Sequence, residues 1–382
     1  YHTARNGIFP IDPVHPGSEL EGDAPYSVVF THDDRYAVVV NSLSGTVSVV
    51  DVATKSLKGI IALDNYEVYH IAITADNKYA YIGERLADQV SRIDLETMEV
   101  THSVFSGGDR PDQTYVHPSG DKVYALNAGG TDAIGVIDIS SGDPKFTRSF
   151  ASGNTGISWT NRGIRCNLAM TPNGNYGVLA TPFDDQIQII DLFNDEILES
   201  IPADGFALQT ALSEPINGRI YSATTLKNNS EVFIMESVGP DVVPFGGLSV
   251  GSNPTRIAYD PSTARFAVCS QDDRRIDIID PAEFEIADIQ IFPSHLIPIA
   301  VEFNATGDQF TLLQSSDPLL SNEFWVNDQS VDLGIAPNHY FDIDSDGGMA
   351  AVVGIHEDVL YLIDTELTDV SSHKVDLNAW YT

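Results

Sequence analysis

The stretch HYFDIDSDGGM, residues 339–349, spaces Asp342, Asp344, Asp346 and Gly347 as a calcium loop begins. Calcium wants about six to eight oxygens, and such a loop supplies two of them from a glutamate at position 12. Counted from Asp342 that position is Val353, and position 9 is Ala350. The alternative is a β-turn capped by its own carboxylates. A second group is three imidazoles, His70, His339 and His356, which with Asp342 would form a set suited to zinc or copper. No HxH or HExxH spacing ties them together. A third is the carboxylate pair Glu302 and Asp342, with Arg256 and Tyr340, able to exchange a proton or hold a cation. All three groups are scattered along the chain, so a fold must bring them together.

The elements that would do so repeat. An alternating strand ending in aspartate recurs at Asp51, Asp94, Asp138, Asp191, Asp280 and Asp364, at intervals of 43, 44, 53, 89 and 84 residues. The last two intervals are double periods, and EVFIME (231–236) and NEFWVND (322–328) fill them. A second recurring element is a strand running into a turn, as in YSVVFTHDDRY, YHIAITADNKY and CNLAMTPNGNY, and HYFDIDSDGGM is its eighth copy. Four short strands in a period of about 45 residues, with no long helical pattern, predict an all-β chain. The reading is a single β-propeller of eight four-stranded blades over 24–382, with seven blades as the fallback. Residues 1–23, rich in Pro and Gly, are expected to form an extended N-terminal arm.

YAVVVNSLSGTVSVVDVATKS (36–56) and YAYIGERLADQVSRIDLETME (79–99) resemble the repeat of YVTN-type β-propellers. The resemblance runs through nearly the whole chain and implies architecture rather than activity, since propellers of this kind include surface-layer proteins, lactonases and redox enzymes. No catalytic residue is carried over from it.

The innermost strand of each blade starts at one mouth of the channel. Its apolar positions, such as Val28/Phe30, Ile71/Ile73 and Phe341/Ile343, should pack between blades. The alternate positions then face the axis: Ser27, His70, Gln113, Asn167, Gln209, Arg256, Ala300 and Tyr340 in one ring, and Val29, Ala72, Tyr115, Ala169, Ala211, Ala258, Glu302 and Asp342 in the next. A polar ring above a ring of mostly small residues is a funnel that could bind a small ligand or only water. The expected ligand-binding set is His70, Gln113, Asn167, Arg165, Gln209, Arg256, Tyr340 and Glu302; the expected metal set is His70, His339, His356 and Asp342. Glu67 and Asp112 also begin inner strands at this mouth. The insert SFASGNTGISWTNRGIR (149–165) would bring Trp159 and Arg162 over it. His117, His102 and His373 fall away from it and read as structural.

Composition narrows the partners. With 20 Lys+Arg against 55 Asp+Glu, the formal charge is −35, which repels phosphate backbones and anionic membranes. Small molecules, metal ions and proteins remain as partners, nucleic acid does not, and no apolar run is long enough for membrane insertion. Cys166 and Cys269 are too few for a disulfide scaffold or a thiolate metal site, and lie in different blades as separate thiols. A chain starting at Tyr1 fits a processed, exported protein, periplasmic, extracellular or on the cell surface. The expected function is that of a binding or scaffold propeller engaging a small ligand, metal ion or protein at the mouth. The alternative is a lactonase-like hydrolase, a lyase or a metal-dependent oxidoreductase, with zinc, copper or calcium as the possible divalent cofactor.

Overall fold

The computed structural model describes residues 24–129, 133–152, 166–238, 241–317, 319–334, 340–354, 358–365 and 371–377. Every regular element among them is a β-strand, and the strands form eight four-stranded antiparallel sheets, each connected in chain order. The chain is therefore an eight-bladed propeller. The two degenerate copies are the third strands of blades 5 and 7, Glu231–Val238 and Glu323–Val326.

The recurring aspartate has a local cause. It ends the third strand and caps the turn into the fourth. Asp51 Oδ1 accepts from Thr54 N at 2.8 Å, Asp94 Oδ1 from Thr97 N at 3.0 Å and Asp191 Oδ1 from Asn194 N at 2.9 Å. These turns carry a left-handed residue, such as Lys55, Met98 or Asp195, that closes the hairpin. The turn after the innermost strand is closed by a hydroxyl: Thr74 Oγ1 and Thr171 Oγ1 each accept from the NH of the tyrosine that opens the next strand, Tyr79 and Tyr176, at 3.1 Å.

Second and third strands are buried on both faces, so their Val, Ile, Ala and Leu side chains form cores shared by adjacent blades. Val38, Val40, Val47 and Val49 of blade 1 pack with Ile71, Ile82 and Ile93 of blade 2. The ring closes in the same way, with Val28, Phe30 and Val39 of blade 1 against Val353, Leu360 and Leu362 of blade 8. Blade 8 takes its four strands from Phe341–Ile343, Met349–Gly354, Val359–Asp364 and Ser371–Asp376, and polar contacts seal the junction. Asp342 Oδ2 accepts from Phe30 N at 2.7 Å and Asp358 Oδ1 from Ala24 N at 3.0 Å.

The innermost strands are Pro25–Phe30, Ile71–Ile73, Pro111–Val116, Leu168–Met170, Ala207–Leu212, Pro254–Asp260, Leu296–Phe303 and Phe341–Ile343. Ala24, Arg110, Phe206 and Asn253 hold positive φ immediately before four of them. Five inner strands then break register near their heads, at Pro25/Ser27, Pro111/Gln113, Ala207/Thr210, Pro254/Ile257 and Pro298/Ala300. A left-handed residue followed by a bulge turns the chain into the channel and re-aims the first side chains of the strand. Below the bulges the expected alternation holds: Val29 and Ala72 are half-buried between the buried pairs Val28/Phe30 and Ile71/Ile73.

Candidate functional site at the channel mouth

The heads of the inner strands, some bulged and some regular, gather an aromatic and basic cluster. The Arg256 guanidinium lies over the Tyr340 ring, 4.4 Å from its centroid. Tyr340 packs on Tyr26 at 5.4 Å, and Tyr26 meets Tyr69 edge-on at 5.0 Å. On the next blades the His70 imidazole tilts over the Tyr115 ring at 5.0 Å. Burial, aided by the neighbouring Cys166, holds the Tyr115 phenol well above its ordinary range. A guanidinium on an aromatic face keeps its donors aimed sideways, an arrangement suited to a carboxylate or another planar acceptor.

Glu302 and Asp342 lie one layer lower on adjacent blades. Glu302 is surrounded by protein on many sides yet stays open to the channel, as its axial position requires. Burial pushes it up to about 7, helped by the Asp342 charge and opposed by Arg256. Burial pushes Asp342 up to about 6, against the NH groups of Phe30 and Ile343 that stabilise its ionised form. Near neutral pH the two therefore divide between protonated and ionised states.

A pH experiment isolates this. Below the ordinary value of 4.5 Glu302 is protonated in both folded and unfolded chains, and above about 7 it is ionised in both. In between, the folded protein binds the proton more tightly, so the group's contribution to stability is present at low pH and lost as pH rises through about 7. Glu302→Gln should thus gain on the native chain as pH rises, its urea midpoint moving from parity near pH 4 to a higher value near pH 8. A difference that stays constant over this range would mean that Glu302 titrates normally.

Other residues expected at the mouth are already engaged. Gln113 donates through Nε2 to Cys166 O at 2.6 Å and accepts from the Tyr115 hydroxyl. Asn167 spans the seam to blade 5, donating to Thr210 O at 2.9 Å and accepting from Thr210 N at 2.8 Å. Both amides tie neighbouring blades together. Gln209 is buried, with its NH bonded to Thr225 Oγ1 at 3.2 Å. Ser27 donates to Tyr69 O at 2.9 Å. Glu67 and Asp112 share Arg85, each at 3.3 Å, which offsets one of their two charges and ties both carboxylates to the wall of the rim. Arg165, His339, His356, Trp159 and Arg162 lie outside the described residues, as does the 1–23 arm.

The calcium-like stretch serves its turn. Asp344 Oδ1 accepts from Met349 N and Asp346 Oδ1 from Gly348 N, both at 3.0 Å. Among the described residues no three His, Cys, Asp or Glu side chains are grouped to hold a metal ion. Cys166 and Cys269 are buried, separate thiols. His117, expected to be structural, bonds Gly174 O of blade 4 through Nε2 at 2.7 Å. Tyr26, Tyr69 and Arg85 were not expected at the mouth. The recurrence of Tyr before the axial residue, in Tyr26-Ser27 and Tyr69-His70, is the sequence signal for the first two.

Residues 18–155 match the family model of YNCE-like β-propellers, in agreement with the YVTN-type resemblance of blades 1 and 2. No curated protein matches the chain. Among solved structures, the Kuenenia stuttgartiensis hydrazine synthase aligns with a TM-score of 0.59 at 17% identity, over 93% of this chain and 99% of that one. The dihydro-heme d1 dehydrogenase NirN aligns with a TM-score of 0.66 at 14% identity, over 81% and 66%. The Myceliophteria thermophila Cps50 (Swd1) propeller domain aligns at 0.54 and 13%, over 77% and 94%. At these identities the likeness is one of fold. Among the described residues no helix is long and apolar enough to cross a membrane.

Proposed function

We propose that the protein is an exported binding propeller that holds a small planar anion at the mouth of its channel. The observation that carries this reading is the Arg256 guanidinium laid on Tyr340, backed by Tyr26 and Tyr69. Arg256 would take the anionic edge of the ligand and the tyrosines its flat face. The net charge of −35 opposes the approach of an anion, so the charge recognition in this reading falls to Arg256 at short range and not to long-range attraction. Calorimetry with a panel of small aromatic carboxylates tests it. Saturable binding that weakens roughly tenfold in both Arg256→Gln and Tyr340→Leu is expected. Failure of every carboxylate to bind, or binding that survives both substitutions, removes the reading.

A second reading rests on the carboxyl pair. Glu302 near 7 and Asp342 near 6 are matched to proton transfer at neutral pH, as a hydrolase or lyase requires. Turnover of a simple aliphatic lactone that disappears in Glu302→Gln while the fold stays intact would favour it.

A further inference from the structure

On the face opposite the mouth, where first strands turn into second and third into fourth, the seams between the first four blades are plugged by the chain's own cations. Lys58 of blade 1 crosses the Tyr36 ring at 4.1 Å and donates to Leu95 O of blade 2 at 3.3 Å. Arg92 of blade 2 lies over Tyr79 at 4.3 Å and donates to Gly142 O of blade 3. Lys122 of blade 3 reaches Leu192 O at 2.8 Å and the Asp195 carboxylate at 2.9 Å in blade 4. In each case a basic side chain from one blade caps the third-to-fourth hairpin of the next.

Among the described residues, the seam between blades 7 and 8 has no such cation and holds a cavity instead. Thr365, which follows Asp364 as Leu95 follows Asp94 and Leu192 follows Asp191, lines a cavity of about 380 Å³ there. No lysine or arginine is among its lining residues. Glu302 pairs with Phe310 as Tyr115 pairs with Tyr124, so Asp308 stands in blade 7 where Lys122 stands in blade 3, while the Gln309 amide faces the other way and is paired with Gln290 of blade 6 at 2.8 and 3.0 Å. The fourth strand, where blade 1 carries Lys58, is cut to the four residues Gln329–Asp332. The floor is apolar, made by the buried Phe310 and Val326. The rim carries Asp308, Asp328 and Asp346. Bonds from Asn327, Asn304 and Thr306 hold the Asp308 carboxyl below its ordinary value, keeping it ionised.

We propose that this pocket receives a lysine or arginine side chain from a basic segment of a partner protein, which fills the seam between blades 7 and 8 as Lys58 and Lys122 fill theirs from within. The apolar floor would take the methylene stem and the rim carboxylates the charged head. A chain of formal charge −35 steers such a segment toward it. The probe is an acetylated, amidated tetralysine peptide titrated into the full chain by calorimetry at fixed salt. Saturable one-to-one binding is expected, weakened roughly tenfold by Asp328→Asn/Asp346→Asn and also by Asp308→Lys, which supplies the cation from the position that Lys122 holds in blade 3. Glu96→Gln/Glu99→Gln, the same charge change on an exposed part of blade 2, should leave the affinity within about twofold. Equal weakening by both double substitutions, absence of saturable binding, or binding of calcium with no affinity for the peptide would each overturn the proposal.

Discussion

Gly135→Ala is expected to destabilise the protein by about 3 kcal/mol or more, although it adds one methyl group. Gly135 sits in the third strand of blade 3, and a Cβ there would lie 1.7 Å from Ser106 O, 2.8 Å from Ser106 C and 3.2 Å from Gly107 Cα. All three are backbone atoms of the linker from blade 2 to blade 3, and that linker has no room to retreat. Ser106 N donates to Asp88 O at 2.9 Å, Ser106 Oγ to Asn127 Oδ1 at 2.7 Å, and Asn127 Nδ2 to Ser106 O at 3.1 Å. Gly120→Ala is the internal comparison: its φ of +73° penalises any side chain, yet nothing lies within 4 Å, so about 1 kcal/mol is expected. Urea midpoints of the two variants separate close approach from conformational preference. Comparable losses would show that the linker yields. Because it leads into the strand bearing Gln113 and Tyr115, the Gly135 variant should also loosen the packing of His70 on Tyr115.

The blade count was legible because the features that make a blade are local. An aspartate that caps its own hairpin, a threonine that closes its own turn and strands that alternate every second residue write themselves into the repeat, so Asp51 and Asp364 could be matched across the chain. The axial layer of Val29, Ala72, Glu302 and Asp342 followed from the same alternation. The mouth was less legible, for a physical reason. A bulge inserts one residue and reverses the facing of what precedes it, so alternation extrapolated through Pro25/Ser27 or Pro254/Ile257 loses its meaning at the strand head. Gln113 and Asn167 are polar and sit where a ligand donor would, yet the backbone of the neighbouring blade claims them; only the closed ring reveals that neighbour. The pocket between blades 7 and 8 is marked in the sequence by Asp308 standing where blade 3 carries Lys122, which becomes visible once the seam between blades 3 and 4 shows what that lysine does.

The second large effect is expected at Asp277, whose carboxylate is fully buried in the third strand of blade 6. Oδ2 accepts from Ser270 Oγ at 2.6 Å, Gly251 N at 3.0 Å and Arg275 Nε at 3.3 Å, while Oδ1 pairs with Arg275 Nη2 at 2.9 Å. Asp277→Ala leaves the Gly251 amide and the Ser270 hydroxyl without this acceptor and the guanidinium without its counter-charge, which should cost about 3–5 kcal/mol. Asp277→Asn keeps an acceptor oxygen in place and should lose roughly half as much. The consequence reaches the mouth because Gly251 begins the linker to the inner strand of blade 6. That linker turns at Asn253, whose φ is +58°, and enters the bulge that presents Arg256 to Tyr340. A freed Gly251 amide therefore loosens the one cation on which anion binding is proposed to depend. Thermal midpoints should fall in the order native, Asn variant, Ala variant, and carboxylate affinity measured below the Ala variant's midpoint should fall in the same order. A stability loss with affinity unchanged would show that the bulge and the Tyr340 ring hold Arg256 without help from the linker.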